Sequence, residues 1–561
     1  MIYSLLVLPA TDHLSPLPFL LLMAGVFIVA TRNDHLPNRT RRITLILALG
    51  MFASLAASFY QFIVDDVFIS LRYARNLAQG HGLVFNTDGS AAVEGYTNFL
   101  WVLLEAPLYL LSLPDDLILH SIRIAGILFG AGVILLTYKL TRILTHDTRT
   151  AVLAALFLAA VPEFSFWAVG GLETSMYMFW MMLGLYRYVI EWRKKIPHIG
   201  SMCVFFLMAL TRPEGLFFAV GVLAFATLLS LKMWNTDASA GRKAFVNVAI
   251  GAGIFAVLYA VYFLWRYDYY GMPFPNTYYA KKIRSTGYFI HRIRQVSDFF
   301  VPLFPFFAFA TLGYLQFSKQ QIRERFMMAG LLALLIAFCF AARNEWMPGF
   351  RYEVPFLPLL MMFFAAGING AFSNFFASNG AAWKSRLSIL SVLSLLGVFL
   401  LFGSRELQKT GNSFTSKLQR AHVPLGKWLK KYAPINSSYA SWDMGAVPYY
   451  SELPHVVDIN SEGLLNTYTT TRGYDIDRFL AGDPCFLVLP PDTEYVRPAE
   501  IRKFYLHNKV KSEYEFLFSV SFDRNYLLNV YKNKRVTISD SAIVEGKYLS
   551  VQSKTEAEGI N

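Results

Sequence analysis

Twelve apolar runs, most of them close to the length that crosses a bilayer, decide what this 561-residue chain can fold into. They cover 16–31, 43–64, 120–141, 151–168, 174–190, 199–211, 215–231, 244–265, 301–317, 326–342, 355–376 and 387–403. A helix needs about 20 apolar residues to span the hydrocarbon core, with some range, so the chain reads as a polytopic α-helical membrane protein with about 12 transmembrane helices. Composition agrees: 16% of residues are charged, against about 25% in soluble domains. One further run, Phe99–Leu113, contains Glu105 and Pro107 and ends at Pro114, and reads as an interfacial or re-entrant helix. The N-terminal stretch has neither a basic n-region nor a small-residue cleavage site, so its run reads as a first span, not a removed signal.

The net charge of +13 does not point to nucleic acid, because the basic residues sit in short connections between apolar runs. Connection 32–42 holds Arg32, Arg39, Arg41 and Arg42; 142–150 holds Arg142 and Arg149; 191–198 holds Arg193, Lys194 and Lys195. Further on come Lys232, Arg242 and Lys243, then Lys319, Arg323 and Arg325, and last Lys384 and Arg386. Every second connection is basic, which places these six in the cytoplasm and the others outside. The expected organisation is a membrane domain over 1–403, with a first outer loop at 65–119, and a small α/β domain over 404–561, also outside, whose strands alternate with helical patterns. Cys203, Cys339 and Cys485 lie far apart and give no disulfide framework or metal spacing.

With that topology, the unusual polar clusters all fall outside. Asp65 and Asp66 follow the second run directly, and ionisable residues at a membrane boundary tend to mark function. The others are Glu94 and Tyr96 in VEGYTN, Glu173 in GGLET, Arg212 and Glu214 in TRPEG, Asn276 and Lys281–Lys282 in YDYYGMPFPNTYYAKK, Arg351 in RNEWMPGFRYE, and Asp443 in WDMG. Each has a plain alternative. Asp65 and Asp66 suit a helix N-terminus, though one cap suffices and two carboxylates are an excess. Glu94 suits a solvated loop, Glu173 and the Arg212–Glu214 pair suit tight turns, and the aromatic-rich stretch suits an interfacial belt.

Convergence on one face argues for an active site. Arginine grips phosphate bidentately and stays charged, and a carboxylate can take a proton from an acceptor hydroxyl as it attacks a sugar carbon. Together they suit inverting sugar transfer from a polyprenyl phosphate. Asp65 is the expected general base, with Asp66 beside it. Arg351 and Arg212 are expected at the donor phosphate, and Lys281 and Lys282 at the lipid headgroup. Glu94, Tyr96, Glu173, Glu214 and Asn276 are expected to contact substrate. A divalent metal is compatible with such a site, but no converging ligand set can be named and no cofactor is assigned. A lipid-linked sugar flippase or exporter, and a non-catalytic assembly protein, are the rival readings.

DDVFISLRYARNLAQGHGLVFN and VEGYTNFLW are followed in order by GGLET, TRPEG, YYGMPFPNTYYAK, WMPGFRYEVPFLPLL and DMGAVPYYS…VVDINSEGLLN. This series resembles the GT-C fold glycosyltransferases, in particular the terminal arabinofuranosyltransferases. The resemblance implies a polyprenyl-phosphate sugar donor, with a pentofuranose such as arabinofuranose as the sugar and an extracytoplasmic glycan or lipid as acceptor. It also implies a bacterial inner (cytoplasmic) membrane, which makes the outer side the periplasm, a periplasmic active site, and an aspartate position that falls on Asp65. The chain departs from the family pattern in the extra run, 16–31, ahead of the Asp–Asp pair.

Overall fold

The computed structural model describes residues 17–30, 36–280, 286–316, 322–342, 345–377, 397, 403–460, 462–492, 498–523 and 526–558. Eleven of the twelve apolar runs lie on helices, from Leu17–Ala30 to Leu357–Ala377. The twelfth, 387–403, falls almost entirely outside the described residues. Among the described residues, five helices are long and apolar enough to cross a membrane, or up to seven if each bent pair is one span. One bent pair is Thr148–Ala160 with Pro162–Val169, turned by 62°. Proline lacks the N–H of a helix interior, and Pro162 starts the second segment as its first residue. Helix Phe99–Leu110 has 12 residues, about 18 Å at 1.5 Å per residue, too short for a bilayer core.

The chain divides into two compact units. The first comprises 1–62, 119–263 and 283–412 and holds the long apolar helices. Helices Phe304–Gln316 and Leu357–Ala377 cross within it at Gly313 and Gly367, where an added Cβ on either would meet backbone atoms of the other helix. Small residues at such crossings let membrane helices pack by backbone contact.

The second unit comprises 63–118, 264–282 and 413–561. The domain boundary expected at 403/404 thus falls at 412/413, and the first outer loop joins the C-terminal unit. Among the described residues its strands are β1 (Ser438–Ser441), β2 (His455–Asp458), β3 (Phe486–Leu489), β4 (Tyr514–Ser521) and β5 (Leu527–Asn533). Their order is β2-β1-β3-β5-β4. β1 runs parallel to β2 and β3, while β5 is antiparallel to β3 and β4. In β3, Phe486 and Val488 enter one core with Tyr439, Trp428 and Phe518, and Leu487 and Leu489 enter another with Phe479, Ile501 and Phe504. Covered on both faces, β3 reads as an unbroken apolar run where a half-exposed strand would alternate.

A buried ion pair ties the segments of this unit together. Arg266 Nε donates to Glu94 Oε2 at 2.8 Å, and its other nitrogens donate to the carbonyls of Pro273 and Met272. The Glu94 carbonyl accepts from Asn276 N–H at 3.0 Å. Burial pushes the Glu94 carboxyl up to about 7 although Arg266 opposes it. Removing one partner of a buried pair costs about 3–5 kcal/mol, so Arg266→Met should lower the unfolding midpoint in detergent. With the arginine gone, burial acts unopposed on Glu94. A carboxyl whose folded pKa is raised takes stability away as pH rises, so the deficit should deepen as pH passes 7. Differential scanning fluorimetry across pH checks both effects.

Candidate active site

In an open α/β sheet, ligands bind beyond the carboxyl ends of the strands where the strand order reverses. Here that point is the end of β1, which has β2 on one side and β3 on the other. The chain leaves β1 as Trp442–Asp443–Met444–Gly445 and enters the short helix Ala446–Ser451. Asp65 meets this turn. Its Oδ1 accepts from Ala446 N–H at 2.9 Å and lies 3.2 Å from His422 Nδ1. Among the described residues, Oδ2 accepts no hydrogen bond. The Asp65 side chain keeps 14% of its surface exposed. It stands at the N-cap position of helix Asp66–Ala78 without capping it, and Asp66 occupies the first turn.

The space around Asp65 is fixed by a glycine. A Cβ on Gly445 would collide with the Asp65 carboxylate and its carbonyl oxygen. On the other side, the buried His422 ring stands with Nε2 at 3.5 Å from Asp443 Oδ2, an ion-pair separation without a hydrogen bond. Tyr526 donates to the Asp443 carboxylate, with its hydroxyl 3.0 and 2.9 Å from the two oxygens. Burial pushes the Asp443 carboxyl up and Asp65 adds to this, while His422 opposes it. Burial alone would push His422 down, but the Asp65 hydrogen bond and the charges of Asp65 and Asp443 outweigh it and hold it above its ordinary 6.5.

The sequence singled out Asp65 and the WDMG turn, but not His422 or Tyr526. His422 sits in the run AHVPLG, with no neighbouring polar residue to flag it, and only folding brings it to a carboxylate 357 residues away in the chain.

In the first unit, Glu173, Arg212, Glu214 and Arg351 come together as expected, but as a mutually neutralising set. Glu173 Oε1 pairs with Arg351 and lies 3.4 Å from Arg212 Nη1, while Arg212 Nε pairs with Glu214. Arg212 is buried between the rings of Tyr177 and Tyr352, and Arg351 stands over Trp167. Glu173 is 2% exposed against 13% for Arg351, whose Nε makes no hydrogen bond among the described residues. Glu173 and Glu214 thus stand as counter-ions to the arginines. A second buried pair in this unit, Arg292–Glu353 at 2.7 Å, escaped the sequence reading.

The residues expected at the sugar have protein partners within the second unit. Glu94 is held by Arg266, and the buried Tyr96 shares a hydrogen bond with Tyr270. Asn276 donates to the carbonyls of Gly463 and Leu464 and accepts from Thr470. These groups brace the second unit, because their polar atoms are taken up by the protein itself. Lys281 and Lys282 lie outside the described residues. Among the described residues, no group of three or more His, Cys, Asp or Glu side chains is placed to hold a metal ion.

Comparison with known proteins agrees with this architecture. Residues 111–265 match the family Dolichyl-phosphate-mannose-protein mannosyltransferase, and 412–538 match a Domain of unknown function (DUF8728). In fold, the chain is similar to ArnT from Cupriavidus metallidurans bound to undecaprenyl phosphate, with a TM-score of 0.59 and 15% identity over 87% of this chain and 98% of that one. The Archaeoglobus fulgidus oligosaccharyltransferase aligns with a TM-score of 0.52 and 13% identity, over 91% of this chain and 78% of that one. The fold is therefore that of the GT-C class of membrane glycosyltransferases, as the sequence resemblance implied.

Within that class, the chain is similar to the terminal beta-(1->2)-arabinofuranosyltransferases. It is 28% identical to the Corynebacterium glutamicum protein over 281 residues, covering 45% of this chain and 38% of that protein. It is 28% identical to the Mycobacterium tuberculosis protein over 235 residues, 39% of this chain and 35% of that protein. The matched stretch thus spans little more than a third of each relative.

Gly445→Ala tests the packing at Asp65. The added methyl must push the carboxylate aside, and a 1 Å misplacement in a catalytic constellation costs about 100-fold. Turnover should fall by about that factor, while circular dichroism shows the helical content of the parent.

Proposed function

We propose that this protein is a membrane glycosyltransferase that moves a sugar from a polyprenyl-phosphate donor to an extracytoplasmic glycan or lipid acceptor, with inversion. Arabinofuranose is the proposed sugar, on the similarity to the two terminal arabinofuranosyltransferases. The observation that carries the reading is the state of Asp65: one carboxylate oxygen is held by two partners and the other is left without one among the described residues. Such a carboxylate is oriented yet still able to accept a proton.

In this reading, Asp65 Oδ2 takes the proton of the acceptor hydroxyl as that oxygen attacks the anomeric carbon from the face opposite the phosphate. The carbon–oxygen bond to phosphate breaks, and its electron pair leaves with the polyprenyl phosphate. The arginines expected at a donor phosphate, Arg351 and Arg212, belong to the first unit, and of the two Arg351 is the more exposed and only partly engaged by Glu173. Arg212, held between carboxylates and rings, would support it. The active site faces the periplasm in this reading, because the basic connections mark the cytoplasmic side.

Asp65→Asn keeps the shape and removes the base, so kcat should fall by at least about 100-fold. The assay is consumption of polyprenyl-phosphoryl arabinofuranose by purified protein in detergent, with an arabinofuranosyl oligosaccharide as acceptor. Turnover at the parent rate would remove Asp65 from the mechanism. A parent that never releases polyprenyl phosphate in detergent would favour the flippase reading. Arg351→Ala should instead raise the donor KM by about tenfold or more, the loss of a charge-assisted hydrogen bond to an anion. Initial rates at varied donor concentration measure this.

A further inference from the structure

The ring of His422 is held more closely than a space-filling side chain requires. It ends a single π-helical turn, Leu418–His422, and such turns insert an extra residue into a helix and occur frequently at functional sites. Both ring nitrogens look toward carboxylates, Asp65 at 3.2 Å and Asp443 at 3.5 Å. Phe522 covers the ring, with centroids 4.8 Å apart. Tyr526 fixes Asp443 from the other side. The basic residues of the same segment are engaged elsewhere, Lys417 with Asp523 and Arg420 with the Phe522 carbonyl. A histidine that merely filled the core would leave two partly buried carboxylates close together, where like charges disfavour each other's ionisation.

We propose that His422 is the positioning residue of this site: its Nδ1–H holds Asp65 Oδ1 so that Oδ2 faces the acceptor hydroxyl, and the charge of Asp443, itself fixed by Tyr526, faces the other ring nitrogen. This rests on the reading of Asp65 as the base. The protonated ring has one N–H for each carboxylate. The neutral ring has a single N–H for two acceptors, and in one of the two tautomers Asp65 loses the ring as a donor and keeps only Ala446 N–H. The Asp65 hydrogen bond and the two carboxylates favour the protonated ring and raise the His422 pKa, so turnover falls on the alkaline side as that proton leaves.

The test compares parent, His422→Ala, His422→Asn and Asp65→Asn in the polyprenyl-phosphoryl arabinofuranose assay across pH. His422→Ala should lose about 100-fold in kcat, a misplaced base, with donor KM little changed. The asparagine amide donates from near the Nδ1 position at every pH. His422→Asn should therefore recover at least about tenfold of that loss and show no alkaline limb. A parent-like kcat in His422→Ala, or an alkaline limb persisting in His422→Asn, overturns the proposal. If Asp65→Asn is inactive and His422→Ala is not impaired, only the role of His422 fails. If Asp65→Asn turns over normally, the reading of Asp65 fails and takes this one with it. A second measurement needs no substrate: the ¹⁵N-imidazole titration of His422 in the parent should lie above 6.5 and drop in Asp65→Asn, and identical titrations overturn the proposal.

Discussion

A charge placed in a chain this apolar has to be neutralised close to where it stands, and much of the architecture follows from how that is done. Leaving a buried charge unpaired costs several kcal/mol, so an interior arginine is found with carboxylates, with backbone carbonyls, or with both. Arg266–Glu94, Arg292–Glu353 and the Glu173–Arg212–Glu214–Arg351 set all follow this rule. Each also joins stretches far apart in sequence: Glu94 and Arg266 are 172 residues apart, and Glu173 and Arg351 are 178 apart. Polar residues that looked like substrate contacts in a linear reading are therefore, in several cases, the ties that hold the scaffold. The informative exceptions are groups left incompletely used. Among the described residues Asp65 Oδ2 is one of them, and the proposed function is built on it.

The membrane part was legible because its signal is local. Apolar runs announce helices, and eleven of the twelve runs lie on them. Among the described residues, however, five helices, or up to seven with the bent pairs, are long and apolar enough to cross a membrane, against the twelve spans expected. The exclusion of Phe99–Leu110 as a span was equally legible, from a glutamate and a proline within too short a run. What sequence order hid was which segments share a unit. Composition puts a boundary near residue 403, but Tyr73, Tyr96 and Tyr270 pack in one core with Trp428 and Tyr439. No periodicity in VEGYTN or YDYYGMPF signals that partnership.

The site was half legible for the same reason. Asp65 stands out as a costly residue beside an apolar run, and Gly445 follows an aspartate in a turn. The two explain each other only once the carboxylate is seen against the glycine. His422 carries no mark of its own in AHVPLG. Its importance comes entirely from the carboxylates at its two nitrogens, and those come from segments centred on residues 65 and 443.

The interleaving of the second unit has a consequence for how the protein comes into being. Asp65 and Ala446 are 381 residues apart, and nearly all of the apolar helices lie between them. During synthesis the segment 63–118 is delivered long before the strands against which it packs. Contacts so distant in sequence form late, since the loop between them must be closed first. The turn that seats Asp65 is thus completed only after the last helix has been inserted and the C-terminal segment has emerged. Until then the early loop carries its tyrosines and carboxylates with half of its core missing, a state in which exposed apolar surface invites misassembly. A chain stopped short of residue 413 would hold every long apolar helix described here, yet have no seat for Asp65.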